Sequence, residues 1–207
     1  MTYSIVAIDP ETREIGSAVA SRSCAVGGTV CYSRIGVGVV NTQHYAHLGL
    51  GALVLDGMEL GRSPQQVLDQ ALELDPSHEQ RQLIAIDHRG RRAFHTGALC
   101  HDARGHASGE TCVAAGNLLS DARVVERMIE TFEDAKGEPL GARLLLCLEA
   151  GEAAGGDRRG RQSAAVKVVP PREAMLAVNL DLRVDDHPDP LAELRRLHRV
   201  FCEEFDR

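Results

Sequence analysis

Three times along the chain, two short runs rich in β-branched and apolar residues are joined by a turn or loop. The runs at 3–8 and 14–21 flank Asp9-Pro10-Glu11-Thr12, those at 82–86 and 92–96 flank Asp87-His88-Arg89-Gly90, and 163–169 precedes 175–180. Alternating polarity bounded by Pro, Gly and Asp reads as hairpin each time. Hairpins impose antiparallel pairing, which excludes a sheet built from parallel strands linked by crossover helices. Two further strands are expected at 29–33 and 35–40, where glycines imply close packing against another layer. The period then changes to that of a helix. Leu50, Leu53, Val54, Met58 and Leu60 lead to Ser63-Pro64, an N-cap followed by proline at the first helical position, and on to Val67, Leu68, Ala71 and Leu72. A short strand at 112–115 precedes Gly116-Asn117. Helices at 120–135 and 140–150 follow, joined by Lys136-Gly137-Glu138-Pro139, and an amphipathic helix at 190–205 closes the chain. Helices clustered between hairpins predict an α+β fold of antiparallel sheets covered by helical layers.

With 207 residues, 43% hydrophobic and 26% charged, the chain is expected to form one domain over 1–207. Aromatic residues are only 3% and Trp is absent, so the core must come from Val, Leu, Ile and Ala, and platforms for stacking bases are not expected. A net charge of −7 argues against non-specific binding to nucleic acid or anionic membranes. No apolar run is long enough to span a bilayer. Met1-Thr2-Tyr3-Ser4 has no basic leader, which predicts a cytoplasmic protein without a signal peptide. Its six cysteines, none in a CxxC pair, are then expected to be reduced, and a homodimer is the default assembly.

Several polar clusters carry possible chemistry. Gly155 to Ser163 packs three glycines and three arginines around Asp157 before a strand. Glycine lets backbone approach a ligand, and guanidinium forks bind carboxylate or phosphate, so Arg158 and Arg161 are candidates for an anion cradle. The Gly-Lys-Ser/Thr ending of a nucleotide-binding P-loop is missing. The plainer alternative is a solvated turn whose arginines pair with Asp157, Asp185 and Asp186. Gln43 and Asn117, at strand ends, are candidate oxyanion donors. His95, His101, His106 and Asp185-Asp186-His187 lack any fixed metal-ligand spacing, so neither metal nor cofactor is expected.

Longer segments carry a resemblance. Thr2-Tyr3-Ser4-Ile5-Val6-Ala7, Ala20-Ser21-Arg22, Gly36-Val37-Gly38, Asn41-Thr42-Gln43, Arg81-Gln82, His95-Thr96-Gly97, the Gly155–Ala165 run and Asp181-Leu182-Arg183-Val184-Asp185-Asp186-His187-Pro188 resemble the bacterial domain-of-unknown-function family 1028 over essentially the whole chain. That family is similar to the N-terminal nucleophile hydrolases, which implies a four-layer αββα sandwich. The resemblance casts Thr2 as nucleophile once Met1 is removed, with its own α-amine as base. The unperturbed pKa of such an amine is near ~8. It also casts Asp157 and Ser163 as a relay beside Thr2. The proteasome-like branch has Asp before the Ser-Arg pair and a lysine before an Ile. Here Ala20 precedes Ser21-Arg22, and Arg34 precedes Ile35. An arginine stays protonated, so Arg34 would stabilise charge without exchanging a proton. Two functions follow. One is an amidohydrolase acting on a small carboxylate-bearing amide or peptide. The other is a catalytically silent binder or assembly subunit, using the arginine-glycine loop and the Leu191, Leu194, Leu197 and Phe201 face of the last helix.

Overall fold

The computed structural model describes residues 2–205. Met1, on whose removal the nucleophile reading turns, lies outside them. The elements run β1 (Thr2–Ile8), β2 (Ile15–Ser21), α1 (Val26–Val30), β3 (Cys31–Arg34), β4 (Gly38–His44), α2 (Leu48–Glu59), α3 (Pro64–Glu73), β5 (Arg81–Asp87), β6 (Arg92–Thr96), β7 (Gly105–Ser108), β8 (Cys112–Asn117), α4 (Arg123–Asp134), α5 (Leu140–Ala153), β9 (Ser163–Val169), β10 (Leu180–Val184) and α6 (Pro190–Phe205). They build a six-stranded sheet, β10-β9-β2-β1-β8-β7, and a four-stranded sheet, β3-β4-β5-β6, antiparallel throughout.

Strand alternation sorts each sheet into two faces. Tyr3, Ile5 and Ala7 of β1, with Ala18 and Ala20 of β2, pack under Val124, Met128 and Phe132 of α4, Leu144 and Leu148 of α5 and Leu191 and Leu194 of α6. Val40, Leu83, Ala85 and Ala93 of the smaller sheet pack under α2 and α3 through Val54, Leu55, Met58, Val67, Leu68 and Ala71. The intervening residues face each other between the sheets: Val6, Ile8, Ile15, Val113 and Val169 meet Val39, Ile84 and Ile86. The layers are therefore helix, sheet, sheet, helix, the αββα sandwich. No helix of the described residues is long and apolar enough to cross a membrane.

Some elements differ from expectation. The strand expected at 29–33 is split: Val26–Val30 forms a helical turn whose Val26 and Val30 pack on Val19 and Ala165, and β3 starts only at Cys31. The strand expected at 35–40 starts at Gly38, because Gly36 at φ +66 makes the turn back from β3. The partner of β9 is Leu180–Val184 instead of 175–180, since Leu180 pairs with Val168 and Met175 and Leu176 stay exposed. Strand β7 was not anticipated, because Gly105-His106-Ala107-Ser108 has no β-branched residue.

Candidate functional site around Thr2

Thr2 is the first residue of β1, and its side chain belongs to the face between the sheets, since its neighbour Tyr3 points into the helix layer. Its ladder partner is Asn117 of β8 on one side, and on the other Ser21 of β2 comes next after the Tyr3–Ala20 pair. Ser21 is in turn opposite Ser163 of β9. One row across the sheet is thus Ser163, Ser21, Thr2 and Asn117, all buried. Thr2 Oγ1 lies 3.2 Å from Ser21 Oγ. At this end the apolar inter-sheet layer gives way to hydrogen-bonding groups. Ser4 Oγ donates to Gln43 Oε1 at 2.8 Å, Gln43 Nε2 donates to Gln82 Oε1 at 2.8 Å, and Asn117 Nδ2 donates to the same oxygen at 2.9 Å. Deeper in the layer, Ser17 Oγ donates to Asn41 Oδ1 at 2.6 Å.

The arginine-glycine loop closes over the strand ends that flank Thr2. Asp157 Oδ2 accepts the backbone N–H of Arg22, just past β2, at 2.9 Å, while Asp157 bridges to Leu119, just past β8. Ser120 N donates to Gly156 O at 3.0 Å on the same side. Asp157 therefore ties together the two strands on either side of β1. Its Oδ1 also accepts Arg159 N at 2.8 Å, and the Arg159 guanidinium reaches Oδ2 at 3.1 Å. Gly155 at φ +115 and Gly156 at φ +51 allow this path, which side chains with a Cβ would resist.

The remaining candidates are placed as follows. Ser163 Oγ donates to Ser23 O at 2.5 Å and accepts Val26 N at 3.1 Å, so it anchors the start of α1 and its hydrogen bonds do not run to Thr2. Arg161 is engaged by Glu152 at 2.5 Å and Asp189 at 3.4 Å. Glu152 in turn accepts the Tyr3 hydroxyl at 2.7 Å, and burial, reinforced by Glu152, pushes the Tyr3 phenol well up, so it stays a neutral donor. Arg158 is exposed and has no ionic partner among the described residues. Asp185 pairs with Arg183 at 2.9 Å, and Asp186 accepts Gln162 Nε2 at 3.0 Å, so of the three expected acidic partners only Asp157 holds an arginine of the loop.

Arg34 is not brought to Thr2. It pairs with Gly38 at the far end of β4 and is held by Glu59 at 2.5 Å and Asp56 at 2.7 Å. Gly38 and Gln43 are five residue steps apart along the strand, roughly 17 Å at the usual rise. The lysine-for-arginine correspondence therefore does not supply a charge beside Thr2. His95 Nε2 lies 2.9 Å from His78 O, a backbone contact. Among the described residues no three His, Cys, Asp or Glu side chains converge as metal ligands. Gln82 stands in the Arg81-Gln82 segment of the resemblance, but the sequence assigns it no role in the site. Its signal was there, a polar side chain in register with Gln43 at the mouth of a hairpin, but without the β4–β5 pairing it read as an ordinary strand start.

Comparison with known proteins follows the same lines. No curated protein shows significant similarity to the chain. Protein SPO2555 from Silicibacter pomeroyi, a DUF1028 protein of known crystal structure, is 33% identical over 97% of this chain and 86% of its own, with a TM-score of 0.89. Two Anbu structures are remote: the ancestral beta-subunit from Yersinia bercovieri is 10% identical over 100% of this chain and 97% of its own, with a TM-score of 0.43. The Anbu (Gly-1) mutant from Hyphomicrobium sp. strain MC1 is 12% identical over the same shares, 100% and 97%, with a TM-score of 0.48. The profile of the family of unknown function DUF1028 matches residues 2–194, and together with the SPO2555 likeness this establishes that the chain belongs to that family.

Proposed function

We propose that the protein is an amide hydrolase of the N-terminal nucleophile type, acting on a small carboxylate-bearing amide or peptide. The observation that carries this reading is the position of Thr2: it heads a central strand at the polar end of the inter-sheet layer, with Oγ1 hydrogen-bonded to Ser21. Once Met1 is removed, the α-amine takes the proton of Oγ1 as that oxygen attacks the amide carbonyl. The resulting ammonium returns the proton to the departing amine, leaving an ester on Thr2. Water hydrolyses the ester with the amine again as base. Asp157 keeps β2 and β8 in register around the nucleophile, and Arg158, exposed on the same loop, is the cation proposed to meet a substrate carboxylate.

The test begins with intact mass, to establish a free Thr2, followed by a panel of N-acyl amino acids and short peptides. Thr2→Ala is expected to lower turnover by roughly a thousandfold or more with the fold retained. Arg158→Ala is expected to raise KM for carboxylates and leave it unchanged for the corresponding primary amides. Quantitative retention of Met1 in active protein removes Thr2 from the mechanism. A silent scaffold is the second reading, favoured by one observation: Arg34, Ser163 and Arg161 are all committed to partners other than Thr2. Free Thr2 without turnover across the panel decides for it.

A further inference from the structure

The amide web beside Thr2 has only one consistent orientation, and that orientation leaves an oxygen over. Gln82 Nε2 faces Gly116 O at 2.9 Å and Gly105 O at 3.1 Å. Carbonyl oxygens only accept, so the nitrogen and oxygen of Gln82 cannot be exchanged. Gln82 Oε1 must then receive nitrogens from both Gln43 and Asn117. Asn117 consequently has its nitrogen directed at Gln82 and its oxygen on the remaining side. Asn117 is fully buried, and its Oδ1 has no hydrogen-bond partner among the described residues. It stands directly opposite Thr2 in the ladder. Buried acceptors without donors are rare, and one beside a candidate nucleophile asks for an N–H.

We infer that Asn117 Oδ1 is the acceptor that holds the Thr2 α-ammonium, making Asn117 a positioning residue for the base and not the oxyanion donor that its strand-end position suggested. This rests on the hydrolase reading, which supplies the free amine. An oxygen at this place disfavours an oxyanion and favours the ammonium formed when the amine takes the Oγ1 proton. Gln82 fixes the direction of Asn117, and Ser4 and Gln43 fix Gln82, so the paired strands β4 and β5 set the chemistry at the head of β1.

The experiment reads the amine itself. Processed protein with Met1 absent by intact mass is labelled at the N-terminus with 13C by reductive methylation and titrated by NMR, alongside Asn117→Leu and Asn117→Asp. Asn117→Leu, near-isosteric and without an acceptor, is expected to lower the α-ammonium pKa, increasing its acid dissociation constant by about tenfold or less. Asn117→Asp, which retains an acceptor and adds charge, is expected to raise the pKa. If Asn117→Leu does not fold, the Asn117→Asp shift alone decides. The acid limb of any pH–rate profile should move with the measured values. Unchanged titration in the folded variants overturns the Asn117 role while leaving Thr2 as nucleophile. A blocked N-terminus in all active protein overturns both.

Discussion

Asp157 shows how much one carboxylate organises here. It receives the Arg22 amide, the Arg159 amide and the Arg159 guanidinium while almost wholly buried, and its backbone bridges to Leu119. Asp157→Asn keeps the shape but presents an N–H where one of these donors points, and is expected to cost about 1–3 kcal/mol in urea unfolding. Turnover should fall further than that loss of stability explains if the clamp also aligns Ser21 with Thr2. At this scale the sequence was partly legible. Gln43 and Asn117 announced themselves by standing at strand ends, whereas Thr2 and Asp157 came forward through the family resemblance. Ser163 did not reveal its role, because its oxygen answers Ser23 and Val26, residues far away in the chain. Arg34 misled for a similar reason: the acids that hold it, Asp56 and Glu59, lie on a helix that local sequence could not dock against β3.

Elements with strong local chemistry form where the sequence places them. Ser63 accepts Gln66 N at 3.2 Å and Gln66 Oε1 accepts Ser63 N at 3.0 Å, a reciprocal cap with Pro64 at the first helical position. Ser63→Ala is expected to destabilise by about 1 kcal/mol, read as a lowered thermal midpoint. The hairpin of β1 and β2 and the closing helix α6 were equally plain. The short helix α1 was not: Val26-Gly27-Gly28-Thr29-Val30 has poor helix propensity, and burial of Val26 and Val30 overrides it. The end of α3 is tied to the start of β5 by Asp75 and Arg81, 2.7 Å apart and both mostly buried. The hydrogen bond from Arg81 holds the Asp75 carboxyl below its usual range. Its contribution is therefore fully present above the unfolded carboxylate pKa near ~3.9 and is lost as pH falls through the lower folded value. Asp75→Asn should flatten the fall of stability below about pH 4 and cost roughly 3 kcal/mol at neutral pH by denaturant titration.

Across the whole molecule, the layers decide which groups water can reach. Cys112 of β8 and Cys147 of α5 are buried in the core between the larger sheet and its helices, and burial pushes the Cys112 thiol up to about 12 and Cys147 higher still. Burial likewise pushes the mostly buried Cys31 up to about 11, whereas Cys24 is exposed. Native alkylation at pH 8 is expected to modify Cys24 first and leave Cys112 and Cys147 untouched until the sandwich opens, with mass spectrometry reporting the order. The contact between the two sheets is also divided along its length. Val6, Ile8, Ile84 and Ile86 hold one end, and the amides of Gln43, Gln82 and Asn117 hold the other. Apolar cohesion weakens in the cold, whereas hydrogen bonding, being enthalpic, does not. Chilling should therefore slacken the oily seam and leave the reactive mouth as the firmer join, so that the same polypeptide has two closures with opposite thermal habits.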